Sequence, residues 1–174
     1  MKHLSILPFL AMLAIAAMSQ SDPWAQMRAF EGKWEGPTSG KPGKGTTTRE
    51  YQFELNGHFL SQRDKSVYQP EAPATKPLVH EDFGMFSYDA NQKKILWRQY
   101  HSEGMVNEYT LESVSADGKS LEFVTTQILN LPGFRAKKQY HILSHDEIDE
   151  TFLLAPPGKD FEVYTVAHLK RVKV

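Results

Sequence analysis

The sequence predicts an all-β fold, an antiparallel up-and-down barrel of about ten strands with one short N-terminal helix. From Gly32 onward, short segments rich in aromatic and β-branched residues recur along the chain. Turn-forming residues separate these segments, among them Asn56-Gly57, Asp117-Gly118 and Pro156-Pro157-Gly158. No helical pattern of about 10–15 residues lies between them, which argues against parallel βαβ units. A meander of this length avoids exposed sheet edges most simply by closing into a barrel.

The positions of the turns fix the approximate strands. The predicted strands cover residues 32–37, 46–55, 58–68, 79–88, 94–102, 105–114, 120–128, 134–144, 147–155 and 161–171. Three segments, 37–45, 69–78 and 130–133, are predicted as longer loops, because proline and glycine interrupt the alternation there. Such loops form either the mouth of a barrel or plain connections between strands.

A short helix is predicted before the first strand. Asp22 can cap a helix that begins at Pro23, and Trp24, Met27 and Phe30 repeat at helical spacing. We expect this helix to cover one end of the domain.

The first 19 residues predict a secretory signal peptide. A short basic start precedes an almost unbroken apolar run from Leu4 to Met18, and small residues follow. A membrane anchor is the alternative, but a spanning helix needs about 20 apolar residues and this run is shorter. We predict cleavage after Ala16 or Ser19 and export to the periplasm or the extracellular space. Residues 20–174 then form a single domain with no stable membrane anchor.

Composition narrows the classes of function. The chain has 20 Lys and Arg against 21 Asp and Glu, which does not suggest a nucleic-acid partner. It has no cysteine, so disulfides and thiolate chemistry are excluded. Metalloprotease, nucleophile-elbow and phosphate-loop motifs are missing, and no carboxylate pair stands out as an acid–base couple. The sequence therefore leans away from an enzyme without deciding the question.

Turn geometry predicts which side chains share a face of the sheet. Pairing Tyr88 with Lys93 sets His80 opposite His101, and a two-residue turn at Glu103-Gly104 sets Gln99 opposite Glu108. One face then carries His80, Asp82, Gln99, His101, Glu108 and Gln127 with Phe86, Trp97 and Phe123. The other face carries Phe83, Met85, Leu96, Arg98, Tyr100, Tyr109, Leu111 and Val124. Both faces are mixed, as expected for a barrel with a partly wet lumen.

The candidate binding residues come from the first of these faces and from the last strand. We predict ligand contacts by His80, Gln99, His101, Glu108, Tyr164 and His168. The pair His80 and His101 suits a ligand contact, a metal-facing or haem-facing pair, or a pH-sensitive pair. The alternative is two partly exposed histidines on neighbouring strands. Glu150 and Lys138 are expected among the charges of a solvated hairpin.

The segment Phe30-Glu31-Gly32-Lys33-Trp34-Glu35-Gly36 resembles the Gly-x-Trp opening of the calycin barrels, which include lipocalins and fatty-acid-binding proteins. The resemblance implies that Trp34 plugs the closed end of a calycin-like barrel. It also implies that Arg171, on the last strand, packs over the indole in a cation–π contact.

Within that group, two segments resemble nitrobindin and related haem-binding-like barrels. His80-Glu81-Asp82-Phe83-Gly84 is similar to the His-x-Glu-x-Gly stretch of the distal haem side, with Asp82 in place of Glu. The last strand resembles the nitrobindin end, where the proximal histidine precedes an alanine by three residues. With Ala167 as that alanine, the equivalent position is Tyr164, and His168 is the alternative haem ligand.

Three functions remain open from the sequence. The first is an exported protein that holds an apolar or amphipathic small molecule in the lumen. The second, implied by the resemblance, is a haem protein that acts on reactive nitrogen species. The third is a structural or interaction protein with a solid-cored barrel.

Overall fold

A computed structural model describes residues 22–173 as a closed antiparallel barrel. A short 3₁₀ helix, Arg28–Phe30, precedes ten strands: β1 (Gly32–Gly40), β2 (Gly43–Glu54), β3 (Phe59–Tyr68), β4 (Leu78–Asp89), β5 (Lys94–His101), β6 (Val106–Val114), β7 (Ser120–Leu129), β8 (Arg135–Ser144), β9 (Glu147–Ala155) and β10 (Glu162–Arg171). Neighbours in sequence pair with each other, and β10 closes the barrel on β1. Across 22–173, no helix has the length and apolar character needed to cross a membrane. The predicted signal peptide lies outside the described residues.

The all-β class and the ten-stranded meander are confirmed. The long loop predicted over 37–45 is wrong. β1 continues to Gly40 and β2 begins at Gly43, so only a two-residue turn separates them. Glycines of this segment allow neighbouring strands to pack closely instead. A Cβ on Gly45 would lie 2.2 Å from the Val67 carbonyl oxygen, so only glycine fits against β3 there.

One end of the barrel is closed by the segment before β1. Trp24, Met27 and Phe30 are buried there, and the Trp34 Nε1 donates a hydrogen bond of 2.7 Å to the Phe30 carbonyl. The Arg171 guanidinium lies 4.1 Å from the centroid of the Trp34 ring. The predicted helix is reduced to turns and the three-residue 3₁₀ helix, which still cover this end.

Aromatic side chains fill the barrel interior above this closed end. The Trp97 ring stacks between Phe86 and Tyr109, with centroid distances of 4.7 and 4.6 Å. Phe123 meets the Trp97 ring edge-on at 5.6 Å. These rings are almost fully buried, so the lower half of the barrel is a solid core.

The register explains which predicted faces are right. Asp82 lies opposite His101, whereas His80 was predicted there, so the register differs by two residues. A shift of two residues keeps every side chain on its face, and His80, Asp82, Gln99 and His101 all lie inside the barrel. The β5–β6 turn is one residue longer than predicted, because the His101 amide donates to the Met105 carbonyl at 3.0 Å. A shift of one residue exchanges the two faces of a strand. Asn107 therefore faces Gln99, and Tyr109 turns into the core.

Candidate functional site

The upper half of the barrel contains a cavity of about 260 Å³ at the end away from Trp34. Its polar wall includes His80, Asp82, Gln99, His101, Glu103 and Asn107. Its apolar wall includes Met105, Ile128, Leu131, Phe152, Leu154 and Tyr164. The solid-cored barrel, the third alternative left open by the sequence, does not describe this half.

Buried charges from distant strands lie where the cavity meets the aromatic core. Arg49 contacts Asp64 at 3.1 Å and Glu150 at 3.0 Å, and Lys138 contacts Glu150 at 2.8 Å. All four side chains are at least nine-tenths buried. We name Arg49, Asp64, Lys138 and Glu150 the charged floor of the cavity.

The two carboxylates of the charged floor differ in their ionisation. Burial raises the pKa of Asp64 to about 7, although the Arg49 charge opposes this effect. Burial also disfavours the Glu150 charge, but Arg49 and Lys138 together outweigh it and lower the pKa of Glu150 to about 2. Glu150 is therefore ionised at neutral pH and carries the ion pairs that hold the floor together.

The charged floor was not predicted from the sequence. The prediction that Glu150 and Lys138 belong to a solvated hairpin is wrong, because both side chains are buried. Glu150 pairs with Tyr140 in the register and points inside, because β8 and β9 are offset by an irregularity between Ile142 and Ser144. One signal in the sequence could have indicated a buried charge. Arg49 lies between Thr47 and Tyr51 at a spacing of two residues, so all three share the inward face of β2.

Three side chains form a compact cluster on the polar wall, which we name the His80–Asp82–His101 cluster. Asp82 Oδ1 lies 3.0 Å from His80 Nε2 and 2.7 Å from His101 Nδ1. The other Asp82 oxygen accepts a hydrogen bond of 2.9 Å from Gln99. His80 Nδ1 lies 2.7 Å from a carboxylate oxygen of Glu103. The two imidazole rings have centroids 5.5 Å apart.

Electrostatics favour the charged forms of the first two members of this cluster. Burial raises the pKa of Asp82, but His101 and His80 outweigh it and hold this pKa well below its usual range. Burial likewise lowers the pKa of His80, whereas the Asp82 and Glu103 carboxylates raise it to about 9. The polar wall therefore offers both an anionic and a cationic group to a ligand.

The structure brings His80, Gln99 and His101 together in the cavity, and it places Tyr164 at the cavity mouth. Glu108 is a correction: the longer β5–β6 turn puts it on the outer face, where it pairs with Arg98 at 2.6 Å and with Gln127. His168 is a second correction. It alternates with the inward-facing Ala167 and Leu169 on β10, so it points outward and contacts Asp149 at 2.7 Å.

The residues of the cavity do not fit the haem site that the nitrobindin resemblance implies. His168 lies outside the barrel, and the position of the proximal histidine holds Tyr164, whose side chain is partly exposed. On the facing side, both ring nitrogens of His80 lie against carboxylates. Within residues 22–173, the last strand therefore presents no histidine to the cavity that could serve as the proximal haem ligand.

Comparisons with known proteins give structural neighbours only. No protein-family model matches the chain, and no curated protein is significantly similar to it. The structure is similar to that of Rv2717c from M. tuberculosis, with a TM-score of 0.67 and 16% identity over 88% of this chain and 99% of that one. It is also similar to the S-type phycobiliprotein lyase CPES from Guillardia theta, with a TM-score of 0.53 and 10% identity over 84% of this chain and 90% of that one. These similarities show a shared barrel fold, while the closer resemblance to nitrobindin stays a prediction.

Proposed function

We propose that this chain is an exported binding protein that holds a small amphipathic molecule in the upper half of its barrel. The observation that carries the proposal is the two-sided cavity. Its polar wall presents His80, Asp82 and Gln99, and its opposite lining presents Phe152 and Leu154. Mostly apolar cavities with a few convergent polar groups are the usual form of small-molecule sites.

The size and charge of the cavity restrict the ligand. A volume of about 260 Å³ lies just below the range of drug-sized sites, roughly 300–1,000 Å³, so the ligand is a compact molecule. Its polar group faces the His80–Asp82–His101 cluster, and its apolar body lies against Phe152 and Leu154. The solid aromatic core below the charged floor excludes a long chain that would extend through the barrel.

Titration with the dye 8-anilinonaphthalene-1-sulfonate tests the proposal, because the dye joins an apolar aromatic body to a polar group, as expected of a ligand for a two-sided cavity. Leu154→Trp fills the cavity from its apolar side, and Leu143→Trp adds the same ring on an exposed position as the matched control. We expect saturable binding to the wild type, at least about tenfold weaker binding to Leu154→Trp, and an unchanged affinity for Leu143→Trp. Equal affinities for both variants would place the dye outside the cavity and contradict the proposal.

Haem addition distinguishes the alternative function. Under our proposal, we expect ferric haem added to the purified wild type and to Tyr164→Phe to give the same absorption spectrum in the Soret region. A Soret band that Tyr164→Phe removes would favour the haem protein instead. The control His168→Ala leaves the spectrum unchanged in either case, because His168 faces outward.

Export is the part of the proposal that rests on the leader alone. Expression of the full chain in a bacterium, followed by fractionation and mass measurement, tests it. We expect a mature chain in the periplasm or the medium that begins after Ala16 or Ser19. Recovery of the uncleaved chain in the cytoplasm would contradict export without affecting the cavity.

A further inference from the structure

We propose that the His80–Asp82–His101 cluster binds one divalent late first-row transition metal ion, such as Zn²⁺, inside the cavity. The inference goes beyond the binding of an organic ligand and does not depend on that ligand's identity. It rests on the placement of the ligand atoms, on the groups that orient them and on the charge balance of the barrel interior.

The three inward-facing atoms are arranged around one point. His80, Asp82 and His101 each offer one ligand atom, and these three atoms all lie within 4.8 Å of one another. Atoms that share a zinc ion at about 2.0–2.2 Å are separated by about 3–3.5 Å. Around Asp82 Oδ1, the contact of 3.0 Å with His80 lies at the lower end of this range, and the contact of 2.7 Å with His101 is slightly shorter. Small side-chain rotations would therefore admit an ion among them.

These inward atoms lack the directional partners that buried polar groups normally have. Asp82 and His101 are 6% and 9% exposed, and both are aimed into the cavity. Among the described residues, neither Asp82 Oδ1 nor either ring nitrogen of His101 makes an aligned hydrogen bond. A metal ion bound between them would satisfy Asp82 Oδ1 and one His101 nitrogen together.

Asp82 Oδ2 and His80 Nδ1, the atoms that point away from the proposed ion, do have hydrogen-bonding partners. Gln99 donates to Asp82 Oδ2 at 2.9 Å, and Glu103 lies 2.7 Å from His80 Nδ1. A carboxylate that accepts the second N–H of a metal-binding histidine fixes its tautomer and turns the other nitrogen toward the ion. The Glu103–His80 pair has this arrangement, with Nε2 left to face Asp82.

The charge of the interior also favours a cation at this point. Arg49 and Lys138 pair with Asp64 and Glu150, whereas Asp82 has no lysine or arginine partner in the described part of the chain. A buried carboxylate needs a paired charge or a metal ion. An ion bound at Asp82 would place that positive charge directly at the carboxylate.

The donor set indicates which ion. Two imidazoles and one carboxylate suit zinc and other late first-row ions, whereas magnesium and calcium prefer all-oxygen sites. Three protein ligands leave at least one coordination position open, and the cluster lines the cavity, so a small molecule could complete the site.

Calorimetric titration of the metal-free full chain with Zn²⁺ tests the proposal. We expect one ion per chain in wild type, binding weakened at least about 100-fold in His101→Ala and Asp82→Asn, and little heat with Mg²⁺. The matched control is His168→Ala, which removes a histidine that also lies 2.7 Å from an aspartate but faces outward. We expect this variant to bind as the wild type does.

Two further measurements keep the test independent of folding defects in the buried variants. Glu103→Gln changes a partly exposed side chain, and loss of such an orienting carboxylate weakens binding about tenfold or more. Addition of Co²⁺ to the wild type should produce visible absorption bands more intense than those of the hydrated ion. Absence of stoichiometric Zn²⁺ binding in wild type, or equal binding in His101→Ala and wild type, would overturn the proposal. Dye binding measured with a chelator present reports on the organic-ligand site separately.

Discussion

Arg49 Nη2 and Glu150 Oε1 meet 3.0 Å apart inside the barrel, although β1 and β10 lie between their strands in the sheet. The contact joins residues 101 positions apart in the chain. It belongs to the charged floor, which separates the aromatic core from the cavity. The shape of the cavity therefore depends on an ion pair that crosses the interior.

Glu150→Gln should destabilise the fold by about 3–5 kcal/mol, because it leaves Arg49 and Lys138 buried without their shared counter-charge. Urea unfolding at neutral pH measures the change. The control is Glu147→Gln, which removes an exposed partner of Lys170 and should cost less than about 1 kcal/mol. Similar losses in the two variants would show that the floor does not hold the barrel together.

The same residue predicts a pH dependence of stability. The folded-state pKa of Glu150 is about 2, below the ordinary value of 4.5. A lowered pKa means that the stabilisation is fully present above about pH 4.5 and is lost as the pH falls toward about 2. The difference in unfolding free energy between wild type and Glu150→Gln should therefore shrink across this window. A difference that stays constant from pH 5 to pH 2 would contradict the assignment.

Trp34→Ala should cost about 3–5 kcal/mol, because it removes a fully buried indole at the closed end. It also removes the ring beneath Arg171 and the hydrogen bond to the Phe30 carbonyl. Thermal and urea unfolding measure the effect. An unchanged melting temperature would show that the closed end does not depend on this side chain.

Gly84→Ala tests how tightly the core is packed beneath the cavity. An added Cβ would lie 2.4 Å from Trp97 Nε1 and 2.8 Å from Gln62 Oε1. Trp97 cannot easily retreat, because Phe86 and Tyr109 hold its two faces. We expect a loss of about 1–3 kcal/mol, as for other overpacked cores. The loss should be smaller in a Trp97→Phe background, and additive effects in this double-mutant cycle would contradict the clash.

The strands could be predicted because turn chemistry and strand composition are local signals. The register between strands was harder to predict. One extra residue in the turn between His101 and Met105 exchanges the inward and outward side chains of β6 up to its first irregularity, after Glu108. The error in the preceding turn was two residues and therefore harmless to His80 and Gln99. The error in the β5–β6 turn was one residue, so Glu108 was predicted on the wrong face of the sheet.

The charged floor could not be predicted for a different reason. In sequence, Lys138 and Glu150 have the composition of any exposed hairpin, and only the closure of the barrel brings Arg49 to them. Long-range charge pairing has no local signature. His80 and His101 were recognisable as a pair, but the part of Asp82 as the residue between them required the true register.

Side-chain amide resonances report most directly on whether a ligand occupies the cavity. Gln99 and Asn107 are buried and line the cavity, whereas Gln127 lies on the outer face beside Glu108. On saturation with 8-anilinonaphthalene-1-sulfonate, we expect the Gln99 and Asn107 amide signals to shift and the Gln127 signal to stay in place. Shifts confined to Gln127 and other outer residues, with Gln99 and Asn107 unchanged, would contradict the account of this barrel as a binding protein with an internal site.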